Sequence, residues 1–238
     1  MSCSKTHTTE RDGSGTITVS PRNEAKQSGL VVISHGLGDT AEGFADVAEQ
    51  FASQYPWLKI ILPTAPTQKV TMNMGMTMPS WYDIVGLDER SNENCAGIEE
   101  SQARIEQILQ KEHETTGLPY SRYVEFERFR GSKVKVYEKG ENVMFQSAYD
   151  LLPHNCDFIS FRMVLAGFSQ GGALSLFTGL QLESSLAGIL VMSGYLPAAS
   201  KLKLKQTDTP VWHGHGKMVS YLCLDSLLRG SFSDLNMI

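Results

Sequence analysis

The sequence contains few cysteines and no long apolar run. Its four cysteines, Cys3, Cys95, Cys156 and Cys223, are scattered and form no C-x-x-C pair. This distribution argues against a disulfide framework and against a cysteine-rich zinc site, and it suits a reducing compartment. No stretch approaches the roughly 18 consecutive apolar residues that a transmembrane helix needs.

A basic surplus and a secretory signal are also missing. The chain carries 21 Lys and Arg against 26 Asp and Glu, a net charge of −5. Nucleic-acid-binding proteins usually carry a basic surplus, so no nucleic-acid partner is expected. Residues 1–15 are polar, lack the apolar core of a signal peptide, and are expected to form a mobile tail. With 41% hydrophobic residues, the composition predicts a folded, soluble, cytoplasmic protein.

Short apolar runs alternate with amphipathic stretches along most of the chain. The patterns predict strands at 16–20, 29–34, 57–62, 163–167, 187–192 and 209–213, and helices at 41–54, 98–114 and 170–183. This alternation predicts one α/β domain over residues 1–238, with a mostly parallel sheet and helices on both faces. The segment 63–80 is predicted to be a loop. Residues 123–162 break the alternation, and one interpretation is a surface hairpin around Lys139-Gly140.

Residues 167–171, GFSQG, match the pattern G-x-S-x-G. The pattern follows an apolar strand directly and opens a helix, which is the strand–turn–helix setting of a nucleophile elbow. Glycines at 167 and 171 let the strand and the helix approach closely, and the helix N-terminus favours a developing oxyanion. The sequence therefore predicts Ser169 as a nucleophile. The alternative is a serine that only caps the helix.

A second glycine-rich loop, His35 to Thr40, follows the predicted strand 29–34. In hydrolases with a nucleophile elbow, the loop after an early strand supplies a backbone N–H to the oxyanion hole. The N–H groups of Leu37 and Gln170 are the predicted pair of donors. His35 precedes the nucleophile in the chain, so a structural hydrogen-bonding role is favoured for its imidazole.

These motifs resemble the acyl-protein thioesterases, also called lysophospholipases or cytosolic carboxylesterases, which have the α/β-hydrolase fold. The similar runs are SHGLGDTAEGFADV (34–47), LPTAP (62–66), TMNMGMTMPSWYDIVGL (71–87), GLPYSR (117–122), MVLAGFSQGGALSLFTGL (163–180), LAGILVMSGYLP (186–197) and TPVWHGHG (209–216). The resemblance implies a serine hydrolase that cleaves fatty acyl thioesters from S-palmitoylated proteins, and also lysophospholipids or small esters. It implies an acyl-enzyme at Ser169 and no metal or organic cofactor.

The resemblance also implies that a methionine-rich segment borders the acyl channel. The substrate-binding residues expected there are Met72, Met74, Met76, Met78 and Trp81. Flexible thioethers can follow a long alkyl chain, and an apolar channel could draw acyl groups from a membrane surface. Peripheral membrane contact is therefore expected. The alternative is a methionine-lined edge of the core.

The catalytic partners of Ser169 are not found where the resemblance places them. The family order is Ser, Asp, His, with the aspartate shortly after the segment that ends here at Gly216. Instead the chain continues with Lys217, Asp208 lies ahead of the last predicted strand, and His215 matches a non-catalytic histidine. We therefore expect residues 217–238 to be unlike the family, and the catalytic Asp and His and the last strand and helix to be missing. The expected form is an impaired hydrolase; the alternative is a non-catalytic acyl-binding or non-functional product.

Removal of residues 123–162 joins Arg122 to Met163 and restores continuous family-like sequence. The codons can contain splice-like signals: GTAYGT over 122–124, YAG over 161–162 and GTAAG over 216–217. The hypothesis is that residues 123–162 and 217–238 are read-through intron. If it is translated, segment 123–162 would enter at the rim of the sheet opposite Ser169 and have no catalytic role.

Overall fold

The computed structural model describes residues 6–86, 94–120, 162–206, 209–215 and 218–222. They form one eight-stranded sheet flanked by helices, and a separate two-stranded hairpin. The strands are β1 (His7–Arg11), β2 (Ile17–Pro21), β3 (Gly29–Ser34), β4 (Leu58–Leu62), β5 (Thr67–Val70), β6 (Met76–Pro79), β7 (Met163–Phe168), β8 (Gly188–Met192), β9 (Val211–His215) and β10 (Met218–Leu222). The α-helices are α1 (Ala45–Gln54), α2 (Ile98–Thr116) and α3 (Gln170–Gly179).

The large sheet has the strand order β1-β2-β4-β3-β7-β8-β9-β10. Strands β4, β3, β7, β8 and β9 are parallel neighbours, and β1, β2 and β10 add to them antiparallel at the two edges. The parallel strands are the apolar runs of the sequence, since a strand covered on both faces needs apolar residues at nearly every position. The predicted α/β architecture, mostly parallel with helices on both faces, is confirmed.

Two apolar cores hold the helices against the sheet. On one face, Leu165, Ile189 and Phe177 join residues of α2 in the larger core. On the other face, Ala48 and Ala52 of α1 pack against Ile60 and neighbouring residues of β2 and β4. Because the central strands are parallel, they all end at the same edge of the sheet. Loops that carry functional residues collect at this edge.

Three segments depart from the sequence-based predictions. Residues 7–11 of the predicted tail form edge strand β1, which pairs with β2, and the buried ring of His7 hydrogen-bonds the Leu58 carbonyl oxygen at 2.8 Å. The predicted loop 63–80 contains hairpin β5–β6, closed by Met74 and Gly75, both at positive φ. Strand β10 pairs with β9 and extends the sheet by one strand beyond the last strand that the sequence predicts, 209–213.

The chain leaves and re-enters the fold at one point. The predicted insertion 123–162 lies outside the described residues, except for Arg162. The N–H of Met163 donates to the carbonyl oxygen of Tyr120 at 3.3 Å, and the N–H of Leu30 donates to that of Arg162 at 2.6 Å. Both junctions lie at the start of β7, whereas Ser169 follows its end. The ends of the excursion are therefore on the rim opposite the serine.

Deletion of residues 123–162 should leave the fold intact. In the deleted chain Tyr120 and Met163 become the first and fourth residues of a four-residue turn, for which the observed hydrogen bond is the closing bond. Arg122 then takes the place of Arg162, whose guanidinium donates to the Ser28 carbonyl oxygen. Thermal unfolding followed by circular dichroism should give a midpoint equal to or above that of the full chain.

Deletion of 121–162 is the matched control. It also removes the two central turn residues, so the Tyr120–Met163 bond cannot form and the midpoint should fall. If both deletions unfold equally, the junction is not a turn that tolerates excision.

Candidate active site

Ser169 occupies a strained turn between β7 and α3. Its backbone has φ 50° and ψ −117°, which is unusual for a residue other than glycine. The N–H of Ser169 donates to the Met192 carbonyl oxygen at 2.8 Å, which ties the turn to β8. The half-exposed side chain makes no capping hydrogen bond to α3, so the alternative of a helix-capping serine is wrong. The turn has the conformation of a nucleophile elbow.

The two glycines of the motif are required by contact distances. A Cβ atom on Gly167 would lie 2.2 Å from the carbonyl oxygen of Gly171. A Cβ atom on Gly171 would lie 2.1 Å from the carbonyl oxygen of Ser34, at the end of β3. Any side chain at either position would push α3 away from the sheet. The close crossing brings the start of α3 against the loop that follows β3.

The loop after β3 faces the serine turn. A Cβ atom on Gly36 would lie 3.1 Å from the Phe168 ring, so the two loops are in contact. Gln170 is the first residue of α3, and the first N–H groups of a helix have no intrahelical acceptor. Within the part of the chain that the structure describes, neither the Leu37 N–H nor the Gln170 N–H has a hydrogen-bond acceptor. Among the described residues, both predicted oxyanion donors are thus free, one in the loop after β3 and the other at the start of α3.

The buried His35 ring holds the Leu37 loop in place. Its Nδ1 atom donates to the Gly36 carbonyl oxygen at 2.7 Å, and its Nε2 atom accepts from the Ala65 N–H at 3.0 Å. The Gly36 carbonyl and the Leu37 N–H belong to one peptide group, so this bond fixes the direction of the N–H. Burial lowers the pKa of His35 and favours its neutral form. Because both ring nitrogens are occupied, the favoured structural role of His35 is confirmed.

Buried side chains tie the serine turn to the segment 80–82. The Gln170 side-chain oxygen accepts from the Trp81 N–H at 3.0 Å, and its amide nitrogen donates to the Tyr82 carbonyl oxygen at 2.8 Å. The Trp81 indole donates to the His35 carbonyl oxygen at 2.8 Å. The Trp81 side chain is 0% exposed, so it supports the loop from behind and has no surface for a substrate. Sequence reasoning missed this role, because a tryptophan beside methionines also fits an acyl channel.

The four methionines of the predicted channel have different environments. Met72 packs against the core, and the Met78 sulfur would lie 3.7 Å from a Cβ atom on Gly38. Met74 is 98% exposed and Met76 60% exposed, at the tip of hairpin β5–β6. The hairpin touches the loop of the predicted oxyanion donor Leu37 (the oxyanion loop, residues 35–40), since the Gly38 N–H donates to the Pro79 carbonyl oxygen at 2.9 Å. Met78 therefore lies beside the loop that follows β3, Met72 packs against the core, and Met74 and Met76 project into solvent.

No described histidine ring is hydrogen-bonded to Ser169. The rings of His7, His35, His113 and His213 each hydrogen-bond a backbone carbonyl, and the partner of His213 is Gly194 at 2.9 Å. The serine hydroxyl has no hydrogen-bond partner among the residues that the structure describes. Asp208 and the side chain of His215 lie outside them. The predicted lack of a catalytic Asp and His stays a prediction.

The strained serine turn, the parallel sheet and the facing glycine loop define an α/β-hydrolase. A family model described as "Phospholipase/Carboxylesterase" matches residues 15–126 and 147–226, and the chain belongs to this family. The match is interrupted inside the predicted insertion, whose bounds 123–162 stay a prediction. It also extends beyond the similar runs of the sequence analysis, which lie within 34–122 and 163–216.

Named relatives are consistent with this membership. The chain is 36% identical over 209 residues to Acyl-protein thioesterase 1 of Mycosarcoma maydis, covering 84% of this chain and 73% of the relative. It is 33% identical over 205 residues to Acyl-protein thioesterase 1 of Neurospora crassa, covering 81% and 67%. The crystal structure of Zea mays acyl-protein thioesterase 2 has a similar fold, with a TM-score of 0.51, 21% identity and coverage of 79% and 65%. The helices in the described ranges are all too short or too polar to cross a membrane.

Stability should depend on the protonation of His35. Because burial lowers its folded-state pKa below the unfolded value near 6.5, the neutral ring contributes fully above pH 6.5. Below this pH the unfolded chain binds a proton that the folded chain resists. The free energy of unfolding should therefore fall between pH 7.5 and 5.5, with a slope of up to about 1.4 kcal/mol per pH unit from this group. Urea unfolding across this range measures it.

His35→Asn should flatten this dependence while lowering stability at pH 7.5. Glu42→Gln is the control: the Arg11 hydrogen bond lowers the Glu42 pKa from 4.5, so any pH dependence from this group lies below pH 4.5, and the slope between pH 7.5 and 5.5 should be unchanged. An unchanged slope in His35→Asn would show that other groups cause the pH dependence.

Proposed function

We propose that this chain is a serine hydrolase that cleaves fatty acyl thioesters from S-palmitoylated proteins, with activity reduced by the lack of a catalytic Asp and His. Family membership and the names of the relatives support the reaction class. The single observation that carries the proposal is the strained Ser169 turn, which faces two free backbone N–H groups. The cytoplasm, where S-acylated proteins meet the inner membrane surface, is the proposed site of action.

Catalysis begins with attack of the Ser169 hydroxyl oxygen on the thioester carbonyl carbon. The oxyanion that develops accepts hydrogen bonds from the N–H groups of Leu37 and Gln170. The carbon–sulfur bond then breaks, the cysteine leaves as a thiolate, the serine proton passes to solvent water, and the acyl group stays on the serine. Water hydrolyses this acyl-enzyme to the free fatty acid and restores the hydroxyl. These steps need no organic cofactor.

The oxyanion donors are held before the substrate arrives. The His35 ring and the Asp39 N–H, at 3.2 Å, both donate to the Gly36 carbonyl oxygen, so the attached Leu37 N–H has a defined direction. The Gln170 side chain is buried and bonded to the segment 80–82, which fixes the start of α3. Fixed donors need no reorganisation in the transition state, which is the main advantage of such a site over water.

The lack of a base sets the expected rate. A serine hydroxyl without a histidine is a weak nucleophile. In subtilisin, loss of the catalytic serine or histidine costs about 10⁶ in kcat and leaves about 10³- to 10⁴-fold catalysis over water. A thioester should lose less than an oxygen ester, because a thiol with a pKa near 8.5 leaves without the proton donation that an alcohol needs. Residual activity should therefore favour thioesters.

A pair of matched peptides tests the proposal. One carries a palmitoyl thioester on cysteine and the other the palmitoyl oxygen ester on serine. The chain should hydrolyse the thioester slowly but above background and the oxygen ester less, and Ser169→Ala should lower both activities. Release of free thiol or palmitate measures the rate. Labelling of Ser169 by a fluorophosphonate should be slow for the same reason.

Three other outcomes are informative. Equal rates with and without Ser169 would exclude the esterase proposal. Turnover at the rate of a complete triad enzyme would show that a base is present. Stoichiometric fatty acid binding without labelling would favour the second candidate, a non-catalytic acyl-binding protein.

We also propose that hairpin β5–β6 contacts a membrane and that lysophospholipids are further substrates. The tip presents two exposed methionines, and the Gly38–Pro79 hydrogen bond connects the hairpin to the oxyanion loop. An apolar tip beside the site would allow an acyl chain to pass from lipid to Ser169 without crossing water. Burial of methionine side chains in the acyl region contributes about 1.5–3 kcal/mol each when complete.

Replacement of the tip methionines should weaken membrane binding. Met74→Asn, which keeps a residue tolerated at positive φ, combined with Met76→Thr should lower binding to phosphatidylcholine/phosphatidylserine vesicles about tenfold or more. Vesicle co-sedimentation measures it. Val85→Thr is the control, since Val85 is 42% exposed but lies outside the hairpin. Equal losses in both variants, or none in either, would argue against the hairpin as the contact.

A further inference from the structure

The loop after β8, residues 193–195, packs against the first turn of α3. A Cβ atom on Gly194 would lie 3.1 Å from the backbone nitrogen of Ala173, so the two backbones are in contact. The strand before the loop is bonded to the serine turn, because the Met192 carbonyl oxygen accepts from the Ser169 N–H. The loop therefore borders the turn that carries the predicted nucleophile.

Strand β9 fixes this loop in a strained conformation. Ser193 has φ 52°, in the left-handed region that favours glycine. Its N–H donates to the Gly214 carbonyl oxygen at 2.6 Å, and the His213 ring donates to the Gly194 carbonyl oxygen at 2.9 Å. A strained backbone persists only where its surroundings hold it in place. The loop is thus a fixed support for its last residue, Tyr195.

Two tyrosine side chains join this loop to the segment 80–82. The Tyr82 hydroxyl donates to the Tyr195 hydroxyl oxygen at 2.8 Å. Tyr82 is fully buried, and Tyr195 packs against the larger core. Burial raises the pKa of Tyr195 to about 12 and the pKa of Tyr82 well above its ordinary value near 10. Both hydroxyls therefore keep their protons at neutral pH, and the bond between them persists.

The segment 80–82 holds the start of α3 as well. The Gln170 side chain is bonded to this segment at both its oxygen and its nitrogen, and the nitrogen donates to the Tyr82 carbonyl oxygen. Tyr82 thus bonds Gln170 through its backbone and Tyr195 through its side chain. The segment 80–82, the loop 193–195 and the tyrosine bond together hold the first turn of the helix, and we call them the α3 clamp.

We propose that the hydroxyls of Tyr82 and Tyr195 close the α3 clamp and make both tyrosines positioning residues for hydrolysis at Ser169, an inference that rests on the proposed function. The Ser169 oxygen and the Gln170 N–H both depend on the first turn of α3, whereas the other donor, Leu37, is held by its own loop. A loosened clamp would shift the nucleophile and one oxyanion donor relative to the other donor. A misplacement of about 1 Å can cost about 100-fold in rate.

Phenylalanine replacements separate the bond from the packing of the two rings, because they remove the hydroxyl and keep the ring. Tyr82→Phe and Tyr195→Phe should each lower kcat for the palmitoyl thioester peptide about two- to tenfold, the range of one hydrogen bond. KM should stay unchanged, since the clamp holds groups that act in the transition state. The double variant should lose no more than the weaker single variant, because one bond can be broken only once.

Amide hydrogen exchange tests the clamp without reference to activity. The N–H groups of Ser169 and Ala173 donate to the carbonyl oxygens of Met192 and Ser169 and report on the serine turn. Their exchange should become about two- to tenfold faster in both single variants, while exchange in α1, on the other face of the sheet, stays unchanged. Tyr120→Phe is the matched control, since this tyrosine lies at the rim opposite the serine and its hydroxyl should affect neither kcat nor exchange at the turn.

The outcomes separate the clamp from the proposed function. Faster exchange at the turn in chains that do not hydrolyse the thioester would support the clamp and reject the hydrolase function. Unchanged exchange and kcat in both single variants overturn the clamp. Effects that multiply in the double variant also overturn it, since they would assign the two hydroxyls to separate roles. Equal effects of Tyr120→Phe would overturn it too, because they would reflect a general loss of stability.

Discussion

The close crossing of β7 and α3 is the constraint on which the rest of the site depends. Gly167 and Gly171 leave no room for a Cβ atom, and Gly171 also lies against the Ser34 carbonyl at the end of β3. This approach forces Ser169 into its positive-φ turn and sets the start of α3 beside the Leu37 loop. The strained backbone of Ser169 persists because packing on both sides of the turn holds it in place.

A buried network of polar side chains fixes the loops around this crossing. The Gln170 side chain, the Trp81 indole and the His35 ring hydrogen-bond almost entirely to backbone groups. Polar groups in a core are stable only when they are paired, so each bond that satisfies a side chain also fixes a loop. Hairpin β5–β6 is joined to the same loop through Pro79, which links the surface that would meet a lipid to the serine.

Electrophile binding and base catalysis are separable in such a site. The proposed oxyanion donors lie in the loop after β3 and at the start of α3, within the first 170 residues, whereas the family resemblance places both partners of the serine in later segments. A chain of this family without those partners would still bind and polarise an acyl group. Its chemistry would then depend on the leaving group, for which a thiolate is far better suited than an alkoxide.

The sequence by itself determined the parallel strands, the three helices and the elbow, because these rest on local patterns: apolar runs, helical spacing and two glycines around Ser169. It could not determine strands β1 and β10 or hairpin β5–β6, because these short segments pair only where a partner edge is present. It also could not assign Trp81, since the same residue type suits a channel wall or a core. Tertiary structure decided these points, because strand pairing and burial depend on residues distant in the chain.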